Sequence, residues 1–222
     1  MGQAGVVHDE MWRDVHAAWR QAFELAWESF VAGSPPVGAV VVAPDGSVVA
    51  RGRSRRSESM APHNQLAGSR LAHAEVNALA QLSPDQHDGY ELYVTLEPCV
   101  LCASAVATAR VPRVSFAGED PLWRFVGGMH ELHPILRDRW YVSSGPLHGV
   151  LGTWAALLPL VDRLARDPVG HRVDAYRAAL PELVDLAEHL VADGVDAELR
   201  KLSLDDAIRA VQPLPIRMKP GA

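Results

Sequence analysis

Thiols are scarce in this chain, whose 222 residues include two cysteines, Cys99 and Cys102. Two thiols three residues apart cannot staple a secreted fold, so the spacing argues for a reducing compartment and metal ligation. A long apolar run is also missing. The longest, residues 149–161, is shorter than the roughly 20 residues a membrane-spanning helix needs, and it reads as a buried helix. Residues 1–10 carry neither a basic segment nor an apolar one. No signal peptide is therefore expected, the cytoplasm is the expected compartment, and no membrane partner is expected. Nor is there an excess of positive charge: the formal net charge is -6 and the pI about 5.9. That excludes a surface that coats nucleic acid, while leaving room for a local basic patch.

What is present is a globular composition, 48% hydrophobic and 22% charged, long enough for one domain with an elaboration. Trp12, Val15, Trp19, Phe23, Ala26, Trp27 and Phe30 recur at helical spacing and predict a helix over 11–31. An apolar run over 37–43 predicts a buried strand, and Pro44-Asp45-Gly46 turns it into a hairpin with 47–51. A loop over 52–69 follows. Then come a helix (73–82), a strand (90–96), a helix (99–110) with Pro98 at its start, and a strand (111–117). Such alternation predicts a mainly parallel sheet covered on both faces. Residues 118–149, rich in Trp, His and Gly, read as a functional segment in which Gly127 and Gly128 let a lid move. Helices are expected over 151–166, along the stripe Leu180, Leu183, Val184, Ala187, Leu190 and Val191, and over 199–211. The break at Asp167-Pro168 divides the chain into a domain over 1–167 and a helical carboxy-terminal extension over 168–222.

The chemistry concentrates in two short motifs, His73-Ala74-Glu75 and Pro98-Cys99-Val100-Leu101-Cys102. Residues three apart on a helix share a face, so both sulfurs can reach one ion, and His73 supplies a third ligand. Three protein ligands with an open position, beside a carboxylate, describe a catalytic zinc. Both motifs fall at predicted helix starts, where the dipole favours thiolates. Zinc lowers the pKa of its bound water from about 15.7 to roughly 7, which gives a hydroxide able to attack an amidine-like carbon. Glu75 is then the general acid/base that carries the water's proton to the ring and to the leaving ammonia. Two other readings of the cysteines stand beside this one. One is a structural zinc completed by His63, His130 or His133, which would leave the Glu75 carboxylate without purpose. The other is a redox pair, which lacks any accompanying thioredoxin pattern.

The spacing H-x-E…P-C-x-x-C is the signature of zinc deaminases. With Pro36-Val37-Gly38-Ala39-Val40-Val41-Val42, His73 to Leu79, Leu92 to Ser104, Ala109-Arg110 and Val114-Ser115-Phe116, the chain resembles the cytidine/deoxycytidylate deaminase superfamily. It looks closest to the branch of tRNA adenosine deaminases and guanine deaminases, over residues 11–117. The resemblance implies a three-layer α/β/α fold with a mixed five-stranded sheet, commonly dimeric. It implies zinc on His73, Cys99 and Cys102, a proton shuttle at Glu75, and a base held by the backbone at Ala74 and by a loop containing Asp120. Many relatives carry a substrate-binding Asn shortly after the second strand; here the stretch reads Gly52-Arg53-Ser54, which puts Ser54 in that role. The carboxy-terminal extension has no counterpart in the minimal family domain, and its apolar stripe is expected to dock rather than carry chemistry.

For the substrate, Trp123, Phe125, His130 and His133 are candidates to stack on or bond a base. Arg51, Arg53, Arg55 and Arg56 are four guanidinium groups in six residues, read either as a phosphate contact or as a solvated loop. The expected function is zinc-dependent deamination of a free nucleobase, nucleoside or related small heterocycle. The alternatives are a tRNA adenosine deaminase, with nucleic acid as partner, and a non-catalytic interaction module.

Overall fold

Gly38–Val42 (β1) is buried along its whole length, as a strand must be when it has neighbours on both edges and helices on both faces. The computed structural model describes residues 11–85 and 87–211; the stretch 1–10 and the tail from 212 lie outside the described residues. β1 pairs antiparallel with β2 (Val48–Arg53) on one edge and antiparallel with β3 (Glu91–Leu96) on the other. β4 (Arg113–Gly118) runs parallel to β3, and a short β5 (Val142–Ser144) runs parallel to β4. The order β2-β1-β3-β4-β5 makes a five-stranded mixed sheet. The expectation of a mainly parallel sheet is therefore corrected. A tight turn joins β1 to β2 and forces that pair antiparallel. The crossover from β2 then carries β3 past β1 to its far edge, where it too runs opposite to β1.

The period-two alternation of the strands divides the interior between two layers. Val40, Val42 and Tyr93 face α1 (Ala17–Val31) and α5 (Gly149–Arg166). Ala39, Val41, Leu92 and Val94 face α2 (Ala74–Leu79) and α3 (Val100–Ala109). α1 is seated by Trp19, Phe23, Trp27 and Phe30, spaced to lie on one face, each contributing on the order of 2 kcal/mol by burial. It starts at residue 17 rather than 11 because the His16 side chain caps it, accepting the Ala18 N–H at 3.2 Å.

The expected loop over 118–149 is largely folded. It holds a 3-10 helix (Arg124–Glu131) that contains both lid glycines, then α4 (Pro134–Arg139) and β5. Beyond α5 come α6 (His171–Ala179), α7 (Pro181–Ala192), α8 (Val195–Leu199) and α9 (Leu204–Val211). The predicted stripe does dock, since Leu183, Val184 and Ala187 of α7 share one buried cluster with α1 and α5. A polar clamp reinforces this. Asp205 on α9 accepts from Trp12 Nε1 and from Arg20 Nη2, both at 3.1 Å. The helix expected over 199–211 is two helices, and α6 fills the stretch after the Asp167-Pro168 break for which no particular helix is expected. No helix among the described residues is long and apolar enough to cross a membrane.

Candidate active site

His73 and Cys99 are the N-cap residues of α2 and α3, and Cys102 lies in the first turn of α3. Two helix starts therefore point at one spot near the carboxyl end of β3. His73 Nδ1 lies 3.3 Å from Cys102 Sγ and 3.7 Å from Cys99 Sγ. Two donors at zinc bonding distances and a tetrahedral angle would be about 3.6 Å apart, so both His73–sulfur separations are close to what a tetrahedral zinc requires. The three ligand atoms lie within 4.8 Å of one another, and no other His, Cys, Asp or Glu of the described residues joins them. His63, His130 and His133 thus do not complete a four-ligand structural site. The thiol of Cys102 donates to Cys99, and together with His73 this holds the Cys99 thiol down to about 4. The same bond, with burial, pushes Cys102 well above its ordinary value. A metal ion would take the place of that shared proton.

Glu75, one residue into α2 from Ala74, is buried at 4% exposure and lines the same cavity as His73 and Cys99. Burial pushes its carboxyl up from the usual carboxylate range, and the imidazole of His73 opposes that rise. The cavity has a volume of about 440 Å³, within the range of small-molecule sites. Of the other residues read as substrate contacts, Ala74, Ser54, Asp120 and Trp123 line it. The Ser54 hydroxyl is buried without a hydrogen-bond partner among the described residues, a group left to be satisfied by something in the cavity. Phe125 is 62% exposed and stands outside the lining. His130 is outside it as well, with Nδ1 2.8 Å from the Gly127 carbonyl, and His133 caps α4 by accepting the Ile135 N–H.

Several further participants are given no role by the motifs. Glu97, which follows β3, accepts the Asp120 N–H at 3.1 Å and lines the cavity, locking together the loops that leave the parallel pair β3 and β4. Asn77, fully buried on α2, donates to the carbonyls of Arg53 (3.0 Å) and Leu66 (3.1 Å) and accepts the Leu66 N–H. It ties the loop after β2 to the helix that bears His73. Most unexpected is Tyr176 of α6, which lines the cavity with its hydroxyl directed at the Asp120 carboxylate. The extension therefore forms part of the pocket wall as well as docking through its stripe. Asp120 is pushed up to about 6, by burial first, against the opposing help of the Leu122 N–H and Tyr176. The arginine run separates in space. Arg53 and Arg55 share Glu58, Arg51 bonds Gln21, and Arg56 alone lines the cavity.

The sequence profile of the cytidine and deoxycytidylate deaminase zinc-binding region matches residues 13–118. A tRNA-specific adenosine deaminase of Streptococcus pyogenes serotype M18 is 33% identical over 125 residues, covering 54% of this chain and 70% of that relative. The chain belongs to the cytidine and deoxycytidylate deaminase family. A tRNA(Ile)-lysidine synthase of Deinococcus deserti is 39% identical over 125 residues, which are 55% of this chain and 22% of that protein. The chain thus spans about a fifth of that longer relative. A solved structure in complex with 2,6-diaminopurine superposes with a TM-score of 0.52 at 24% identity, covering 70% of this chain and 85% of that one, and so shares its fold. The three potential ligands and Glu75 all lie inside the region matched by the family profile, whereas Tyr176 lies outside it.

Proposed function

We propose that this chain is a zinc-dependent hydrolytic deaminase of a nucleobase, nucleoside or related small nitrogen heterocycle. The observation that carries the reading is the convergence of His73, Cys99 and Cys102 on one point of a cavity that Glu75 also lines. Zinc, when bound there, supplies a Lewis acid that brings water near neutral in pKa. The remaining work belongs to the chain. Glu75 takes a proton from the attacking water and delivers it to the ring nitrogen next to the amino-bearing carbon. It then takes the second proton from the newly added hydroxyl and passes it to the amine, the carbon–nitrogen bond breaks, and ammonia leaves with a carbonyl in its place. Burial raises the Glu75 carboxyl in the direction of neutrality, which suits a group that must both accept and return a proton. The backbone at Ala74 and the unpartnered Ser54 hydroxyl hold the ring, and Trp123 covers it.

The test is ammonia release by the zinc-loaded chain from a panel of purine and pyrimidine bases, their nucleosides and nucleotides, with E75A as control. Release from no compound would sink the reading. The kinship with a tRNA-specific adenosine deaminase supports a second reading, deamination of adenosine in tRNA. Inosine formed in an anticodon stem-loop, with no turnover of small compounds, would establish that one instead.

A further inference from the structure

Four arginines meet at the mouth of the zinc-ligand cavity, drawn from three separate parts of the chain. Arg56 and Arg70 come from the loop between β2 and α2, Arg163 from the last turns of α5, and Arg172 from α6. All four line the main cavity, and all four also line an adjoining hollow of about 320 Å³ that shares its wall with it. None of the four guanidinium groups makes an ion pair or hydrogen bond with another of the described residues. The nearby arginines and acids are otherwise engaged. Arg166 holds the Asp162 carboxylate at 2.9 and 3.1 Å, and Arg200 approaches the same group at 3.6 Å. Glu58 is taken by Arg53 and Arg55. Of the remaining acids of the cavity, Glu75 stands beside His73 and Cys99, Glu97 accepts the Asp120 N–H, and Asp120 reaches Arg163 with its charge. The four guanidinium groups repel one another: Arg172, Arg163 and Arg70 all push the Arg56 guanidinium down, after burial itself, and Arg172 does the same to Arg163. Asp162 and Asp120 offset part of the charge on Arg163, but in a chain of net charge -6 four guanidinium groups at one pocket mouth are costly unless an anion occupies it.

We propose that Arg56, Arg70, Arg163 and Arg172 form a phosphate subsite and that the substrate is a nucleoside monophosphate, its base at the zinc ligands and its phosphate on the arginines. This rests on the deaminase reading and narrows it. Planar guanidinium forks match phosphate oxygens in pairs, and four of them suit a dianion better than a single carboxylate. A free mononucleotide fits better than RNA. The positive charge converges on one spot instead of tracking a backbone, and the acidic balance of the chain opposes a polyanion spread over its surface. The carboxy-terminal extension gains a role by the same argument: α6 brings Arg172 to the phosphate and Tyr176 to the base-side wall.

The experiment measures binding by titration calorimetry and turnover by ammonia release, on the full zinc-loaded chain. The ligands are nucleosides, their 5′-monophosphates, inorganic phosphate and an RNA stem-loop. The monophosphates are expected to bind at least ten-fold tighter than their nucleosides, and inorganic phosphate to compete with them. R163M and R172A should each shrink that preference ten-fold or more, whereas R177A, on the same helix as Arg172 but paired with Glu188, should not. Phosphate binding abolished by the two variants, with no ammonia from any compound, would uphold the subsite and sink the deaminase reading. Nucleosides turned over as well as their monophosphates, with no phosphate binding, would overturn the subsite and leave deamination standing. Binding of the stem-loop alone would also overturn it, assigning the arginines to RNA.

Discussion

A Cβ on Gly52 would lie 2.2 Å from the carbonyl oxygen of Ala74, so β2 and the start of α2 meet backbone to backbone. The next neighbours, Ala78 N at 2.4 Å and Asn77 C at 2.8 Å, are backbone too, so no flexible side chain can yield. G52A must therefore push α2 away from the sheet, and α2 carries His73 and Glu75. The expected cost is about 1–3 kcal/mol of stability, typical of overpacking, with a ten-fold or greater loss of zinc affinity from the displaced ligand. Urea unfolding and zinc titration measure the two. A variant with unaltered zinc affinity would mean that α2 is not positioned through this contact.

Removing the metal should destabilise the chain as a whole, because an ion held by His73, Cys99 and Cys102 would join the starts of α2 and α3. Metal analysis is expected to find one zinc per chain in the wild type and none in C102A or H73A. Chelation should lower the melting temperature of the wild type and leave C102A unmoved. Binding at a free zinc concentration 100 times Kd contributes about 2.7 kcal/mol of stability. Equal melting with and without chelator would contradict a bound ion.

Glu75 separates activity from stability. Its carboxyl is buried at 4% exposure and raised by burial, so E75Q removes a group that costs free energy to bury charged. Proton transfer is lost with it, so kcat is expected to fall by about 10²–10⁴-fold while zinc content stays at one per chain. Thermal melting of E75Q should lie at or above that of the wild type. A variant that loses activity and also melts lower would place Glu75 in a structural role instead.

The zinc-ligand end of the pocket was legible in the sequence because its chemistry is local. Three residues in His73-Ala74-Glu75 and four in Cys99 to Cys102 fix both ligand identity and helix placement, and capping then aims them together. The strands were legible for a similar reason, since GAVVV and ELYVTL are apolar runs whose burial forces extension. Strand direction was legible only for the hairpin of β1 and β2, because beyond it helix–strand alternation is the same whether a strand joins the near or the far edge of its neighbour. α6 escaped notice because only Val173 and Tyr176 of its nine residues are buried, too few to write a stripe. The arginine subsite escaped for a further reason. Its members stand at 56, 70, 163 and 172, while in the conspicuous run at 51–56 Glu58 pairs with Arg53 and Arg55 and Gln21 accepts from Arg51.

Asp120 gives the chain a pH dependence of definite sign. Burial pushes its carboxyl up to about 6 from an ordinary 3.8 in the unfolded chain. Between those values the native state holds a proton that the unfolded state has released, so this group's contribution to stability falls as the pH rises. The whole shift corresponds to about 3 kcal/mol, present in full below pH 4 and gone above pH 6. D120N cannot ionise, yet it keeps an oxygen to accept the Leu122 N–H that Asp120 now accepts at 3.1 Å. The stability of D120N relative to wild type should therefore climb by up to about 3 kcal/mol from pH 4 to pH 7, measured by urea unfolding at each pH. Because other titrating groups are common to both chains, they cancel in the difference. A difference that stays flat across this range would show that Asp120 ionises in the fold as it does in water. The Tyr176 hydroxyl adds a second arm: Y176F removes a donor that favours the Asp120 anion, so it should raise the Asp120 midpoint above 6 and extend the falling limb to higher pH.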